Sequence, residues 1–303
     1  MFDIPNKKNA DSILEYFSSN GLKDYAYKRN YDFGQKNQTN VSKLSPFIRK
    51  RIIHEKDIIK HALKKFEYKK VEKFVQEVFW RTYWKGWLEG RKKVWLDYLE
   101  SLEKFQNEKL PYDIKKNYKK AISGSTGINC FDSWVDELIN YGYLHNHSRM
   151  WFASIWIHSL SLPWELGANF FFENLLDADP ASNTLSWRWV AGLQTQGKAY
   201  LAKKENIEKF SSFKIIEDEV LAKKAINFPY HFYEYKKIDF QKSKVSDNDI
   251  YIINENNLIY SQEHINMLKK LELFVIDNQD FTCVLGAFFN QDFIHFFTPY
   301  LTL

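Results

Sequence analysis

Three clusters of side chains have types and spacings suited to chemistry. Glu77, Trp80, Arg81 and Trp84 stand at i, i+3, i+4 and i+7, so a helix would carry them on one face. A carboxylate, a guanidinium and two indoles on one stripe can line a pocket that both hydrogen-bonds and stacks. The same stripe fits an ion pair beside core tryptophans, which is the commoner use of such a pattern. Asn146, Arg149 and Met150 share a second face, and His145 and His147 flank Asn146. The two histidines are not at the i, i+4 spacing of a helical zinc pair, and no cysteine or carboxylate completes a set, so no metal is expected. His145 reads as a capping or core residue. The third cluster is Asp177 and Asp179, followed by Asn183, Trp187 and Trp189. Two carboxylates two residues apart accept hydrogen bonds from ligand N–H groups or cap a helix. Taken alone, Trp164 and Trp187 read as core. Ser42 and Ser45 precede a helix-like stretch whose first N–H groups could hold phosphate. The sequence has no GxxxxGKS loop, no GxGxxG and no GxSxG.

The elements that would position these residues are helical. Apolar positions recur at helical spacing over Val71–Phe79 and Phe131–Leu138, with Gly142 as a C-cap for the second run. Further helices are predicted over Ser148–Leu160, ending before Pro163, over Trp164–Leu176, and over Asn183–Leu193. All ten tryptophans lie between Trp80 and Trp189, and aromatics make up 17% of the 303 residues, with only 11 glycines. Large side chains and few glycines favour helix packed on helix. Beyond Phe213 the pattern changes. Ile250–Ile253, Leu273–Ile276, Cys283–Phe289 and Phe293–Phe297 read as strands, with a helix over Ser261–Leu271. The expected organisation is therefore a helical body, 1–213, and a small α/β appendage, 214–303. Two cysteines, Cys130 and Cys283, exclude a disulfide scaffold and point to an intracellular protein. No apolar run is long enough for a membrane span, and the N-terminus lacks a signal core. The net charge of +5 is compatible with a nucleic-acid partner.

Read together and in order, the segments Glu77–Arg81, Thr126–Gly127, Tyr143–Met150, Leu176–Asn183 and Trp187–Trp189 closely resemble the helical FAD-binding domain of the photolyase/cryptochrome family. Upstream, Tyr25, Arg29 and the run Ser42–Pro46 fit that family's phosphate-binding region. The likeness covers roughly Tyr25–Leu193. It implies a mainly α fold that buries a U-shaped FAD. Tyr25, Arg29, Ser42, Leu44 and Ser45 would surround the pyrophosphate, and Arg81 would sit beside the cofactor. Asp177 and Asp179 would accept from the flavin edge or sugar, Arg149 would pair with Asp177, and Asn183 would face flavin N5. Glu77, Trp80, Asn146, Met150 and Trp189 occupy the positions that surround a flipped-out cyclobutane pyrimidine dimer. Trp187 and Trp164 match the inner two members of an electron-transfer chain, whose third place falls near Pro111, with Tyr112 or Trp95 as substitutes. The family's HNR run becomes His145-Asn146-His147, and no counterpart of its N-terminal antenna domain is expected in these 303 residues. The implied activity is light-driven repair of UV-damaged DNA by a monomer without metal or membrane. The alternative is a cryptochrome-type blue-light receptor signalling through its C-terminal segment.

Overall fold

A computed structural model describes residues 6–108, 110–216 and 221–237, together with three strands farther along the chain. Helices follow one another in the order α1 (Lys7–Asn20), α2 (Tyr25–Lys28), α3 (Ser45–Arg49), α4 (Glu55–Lys65), α5 (Tyr68–Glu89), α6 (Lys92–Asn107), α7 (Tyr112–Ile122), α8 (Asn129–Tyr141), α9 (Asn146–Ser154), α10 (Trp164–Asn174), α11 (Pro180–Val190) and α12 (Lys204–Phe210). A π-helical turn, Ile155–Ser159, continues α9. The strands β1 (Tyr251–Asn254), β2 (Leu273–Ile276) and β3 (Cys283–Gly286) form one sheet, with β1 parallel to β2 and β2 antiparallel to β3. The helix expected over 261–271 and the strand expected over 293–297 lie outside the described residues.

The chain divides into two compact units. One comprises Met1–Lys23, Ser42–Val71 and Asp239–Leu303, and the other Asp24–Val41 and Glu72–Ile238. In the first unit, Leu14, Phe17, Ile58 and Ala62 bury the facing stripes of α1 and α4. The second unit holds an aromatic core. Phe131 stacks on Phe152 at 4.3 Å, and Trp134 on Trp151 at 5.6 Å. Trp187 meets Trp156 and Phe171 edge-on at 6.1 and 5.1 Å. Offset and edge-to-face pairs of this kind add about 0.5–1.5 kcal/mol each beyond the area they bury.

Local signals explain the helix ends. Gly142 takes φ 61° at the C-cap of α8, and a Cβ there would meet Leu176 at 2.7 Å, so glycine satisfies both the left-handed backbone and the close approach. The helix predicted to begin at Asn183 starts three residues earlier. Asp179 caps it by accepting from the Ala181 and Ser182 N–H groups, and Pro180 occupies the first turn. Residues 221–237, assigned above to the appendage, run along the second unit. The Ala222 N–H donates to Ser159 Oγ at 2.9 Å, the Ile226 N–H to His158 Nδ1 at 3.1 Å, and the Lys236 N–H to the Gly90 carbonyl at 2.8 Å.

Candidate functional site

The site in the second unit is built where α8 ends and α9 and α11 begin. The Leu176 N–H donates to the Gly142 carbonyl at 2.9 Å, which brings the Leu176–Asp179 turn alongside the entry to α9. One turn into α9, Arg149 donates from Nη1 and Nη2 to both oxygens of Asp177 at 3.0 Å each, and from Nε to the Leu144 carbonyl at 2.9 Å. This is a two-pronged, charge-assisted pair with a buried carboxylate. Two residues on, Asp179 caps α11 and draws cations from α5. Arg81 Nη2 lies 3.4 Å and Lys85 Nζ 3.6 Å from its Oδ2. Asn183, one turn into α11, donates from Nδ2 to the Ala168 carbonyl at 2.7 Å, which leaves its amide oxygen as the group it presents.

The α5 stripe splits its duties. Glu77 accepts from Arg29 Nη1 at 2.8 Å and lies 3.8 Å from Lys73 Nζ. Arg29 and Glu77 were expected around the pyrophosphate and the lesion respectively, and here they form one ion pair. Tyr25 packs edge-on against Phe74 at 5.2 Å, and burial raises its phenol pKa well above the usual value. Trp80 is 45% exposed and contacts Tyr83 and Trp84. Trp84 is half-buried and packs against the cluster of Leu88, Val94, Ala181 and Leu185. Asn146 is exposed at the start of α9 and Met150 is half-buried one turn later. Trp189 is half-buried and stacked on Tyr200 at 5.5 Å. Trp187 and Trp164 are buried on α11 and α10. Of the two substitutes for the third relay member, Tyr112 is 78% exposed, whereas Trp95 contacts Tyr98 at 5.1 Å, and Tyr98 contacts Trp164 at 5.7 Å. Ser42, Leu44 and Ser45 belong to the other unit. There the Leu44 N–H points at Ser42 Oγ at 3.4 Å, Leu44 is buried, and Ser45 opens α3.

Sequence reasoning missed Lys85, although it extends the 77–81 stripe by one further turn. It also missed Gln38, which is 4% exposed with neither side-chain polar atom hydrogen-bonded, and the buried Asn40, whose Oδ1 has no partner. Buried amide groups without partners cost about 1–3 kcal/mol each. They stand four and two residues before Ser42 in the sequence, outside the run Ser42–Pro46 assigned to phosphate binding, and their unmet polar atoms suit a polar ligand in the second unit.

The two histidines of the His145–His147 run turn inward. His145 Nε2 lies 3.0 Å from the Arg29 carbonyl and its Nδ1 accepts from the His147 N–H. His147 stacks on Trp151 at 4.1 Å with Nδ1 2.9 Å from the Asn30 carbonyl. Burial, the largest cause in each case, holds His145 down to about 4 and pulls His147 below its ordinary value. The unfolded chain takes up these protons near 6.5. The stability due to the neutral rings is therefore whole above that pH and is lost as the pH falls towards 4. Urea unfolding across this window should show the decline, and His145→Asn, which keeps an acceptor at the cap, should flatten it. A parent protein equally stable at both ends would exclude the buried neutral state.

Among the described residues, no helix is long and apolar enough to cross a membrane, and no group of three or more His, Cys, Asp or Glu could hold a metal ion.

Residues 74–215 match the family model described as the FAD binding domain of DNA photolyase. A deoxyribodipyrimidine photo-lyase of Agrobacterium fabrum is 31% identical over 196 residues, 62% of this chain and 38% of its own length. The enzyme of the same name from Alkalihalophilus pseudofirmus is 29% identical over 197 residues, 64% of this chain and 39% of its own. The crystal structure of a bacterial class III photolyase from Agrobacterium tumefaciens superposes with a TM-score of 0.56 at 28% identity, covering 68% of this chain and 42% of that one. The chain thus spans about two-fifths of the length of these relatives.

Proposed function

We propose, from the membership of residues 74–215 in the FAD-binding domain family of DNA photolyases, that this chain is a light-driven flavoprotein that splits cyclobutane pyrimidine dimers in UV-damaged DNA. The observation that carries the reading is the pair of Arg149 with the buried Asp177, set directly before the Asp179 cap and Asn183. That arrangement offers fixed charge and an amide oxygen to the polar edge of a flavin.

The chemistry FAD supplies when bound is light-driven electron donation to the dimer, with return of the electron after the ring opens. The chain's residues hold and orient. Asp179, fixed at a helix start, holds Arg81 and Lys85, two cations that would face the cofactor's negative groups. Asn183 presents its amide oxygen, suited to accept from an N–H at flavin N5. Gln38 and Asn40 supply unspent hydrogen-bonding capacity that a polar group of the cofactor would use. Trp80 offers an exposed indole face to a pyrimidine dimer that stacks poorly in DNA, and Trp189, propped on Tyr200, offers a second. Extrusion is least costly for damaged bases, so flipping itself selects the lesion. Glu77, held by Arg29, and Asn146, exposed at the start of α9, can hydrogen-bond the pyrimidine edge, with Met150 as the apolar neighbour. None of these steps needs acid–base chemistry from the protein; position and water exclusion suffice.

The test is direct. FAD-loaded, photoreduced protein is mixed with an oligonucleotide carrying one cyclobutane dimer, and thymine absorbance is followed under blue light and in the dark. Recovery in the light alone supports repair. Bound FAD without recovery overturns it in favour of a photoreceptor. In the same assay Trp80→Ala should retain FAD while weakening binding of the dimer by about 1–3 kcal/mol. Unchanged affinity would remove Trp80 from the pocket.

A further inference from the structure

Arg188 is a buried cation whose neighbours are aromatic. It is 5% exposed, its Nε has no hydrogen-bond partner, and its Nη2 reaches the Leu193 carbonyl only at 3.5 Å. Glu165 and Asp97 act on it electrostatically, but among the described residues no carboxylate lies in salt-bridge range of it. Its Cζ stands 5.8 Å from the ring centroid of Trp164 and 5.1 Å from that of Tyr233, so the two rings are no more than about 11 Å apart. An electron hole left on Trp164 would put a second positive charge beside Arg188, and the poorly screened interior makes that repulsion costly. Trp187 is no better a resting place, because its buried Nε1 has no hydrogen-bond acceptor to take a proton.

Tyr233 differs. Its Oη donates to Asp97 Oδ2 at 2.9 Å, and Lys93 holds the other oxygen of Asp97 at 2.5 Å. Loss of an electron together with the phenolic proton leaves a neutral ring facing Arg188. Tyr98 touches Trp164 more closely, but its hydroxyl has no hydrogen-bond partner among the described residues, so its oxidation would leave the proton without a destination.

We propose that Tyr233 is the terminal electron donor of an aromatic relay through Trp164 and Trp187, with Asp97 as the acceptor of its proton. The proposal rests on the FAD reading above. One electron leaves Tyr233 and is taken up, through the two indoles, by photoexcited oxidised FAD as the one-electron oxidant. The phenolic O–H bond breaks and its proton joins Asp97 Oδ2. Tyr233 acts through Trp164 rather than on substrate.

The experiment uses the full chain loaded with FAD, illuminated with blue light without DNA and freeze-trapped for electron paramagnetic resonance. A neutral tyrosyl signal that narrows with ring-deuterated tyrosine is expected. Tyr233→Phe should lose it, Asp97→Asn should diminish it at unchanged FAD content, and Trp95→Phe should leave it intact. Tyr233→Trp, which keeps a ring at the position, should convert it to a tryptophanyl signal. A tyrosyl signal that survives Tyr233→Phe overturns the proposal, as does a persistent tryptophanyl signal in the parent. Failure of the parent to take up FAD overturns the underlying reading and this one with it, and the flavin absorbance distinguishes that case before any light is applied.

Discussion

Replacing Arg149 with methionine should lower the unfolding free energy by about 3–5 kcal/mol, because it strips a buried carboxylate of its guanidinium. Asp177 sits in the turn after α10, and Arg149 approaches it with two parallel 3.0 Å hydrogen bonds. The same guanidinium reaches back to the Leu144 carbonyl and so ties the α8–α9 turn to the turn before α11. Methionine keeps the apolar stem and removes the charge, which isolates the electrostatic part. Pairing it with Asp177→Asn should recover much of the loss, since the buried charge then disappears too. The check is urea unfolding of the three variants at neutral pH. A loss below about 1 kcal/mol for Arg149→Met, the range of an exposed pair, would mean that water reaches the pair and that it cannot serve as a rigid cofactor anchor.

The second large effect lies at Gly167 on α10. A Cβ there would stand 2.3 and 2.5 Å from the outer edge of the Trp187 indole and 2.9 Å from Trp156. In an open helix, alanine would gain up to about 1 kcal/mol over glycine. Here Trp187 is hemmed in by Trp156, Phe152 and Phe171 and has nowhere to retreat. Overpacking costs about 1–3 kcal/mol and sometimes more, so the net sign is a loss. Thermal unfolding and the near-ultraviolet circular dichroism of the tryptophans should both report it. If Gly167→Ala is as stable as the parent with the same dichroism, Trp187 has room to move and is a poor candidate for a fixed relay member.

These two cases show what a sequence can and cannot reveal. The helical body was legible because burial repeats at helical spacing: Phe131, Trp134, Val135 and Leu138 form one buried face of α8, and Gly142 ends it. The start of α11 was misjudged because Asp177 and Asp179 were weighed as ligands as well as caps, and the Asp179 side chain does cap the helix. The Arg29–Glu77 pair joins residues 48 apart, and no local period encodes such a partner. Gly167 shows no glycine signature in its backbone; its need arises only from the indole across the helix interface. Residues 221–237 were the hardest to read. They hold to the second unit by single hydrogen bonds and aromatic contacts, without secondary structure, and so leave no periodic trace.

The π-helical turn at Ile155–Ser159 reconciles two obligations on one helix. Upstream, Arg149 and Trp151 must face Asp177 and Trp134. Downstream, His158 and Ser159 must face the backbone of Ile226 and Ala222. A residue in an α-helix turns about 100° from its predecessor, so an uninterrupted α-helix would fix the angle between those two sets of partners. Closing the Leu160 N–H onto the Ile155 carbonyl, five residues back, admits one residue more than the ordinary pitch allows and shifts the phase between them. The turn thus works like a vernier: a single inserted residue sets the angular offset between the Arg149 side of this helix and the face that binds the trailing chain.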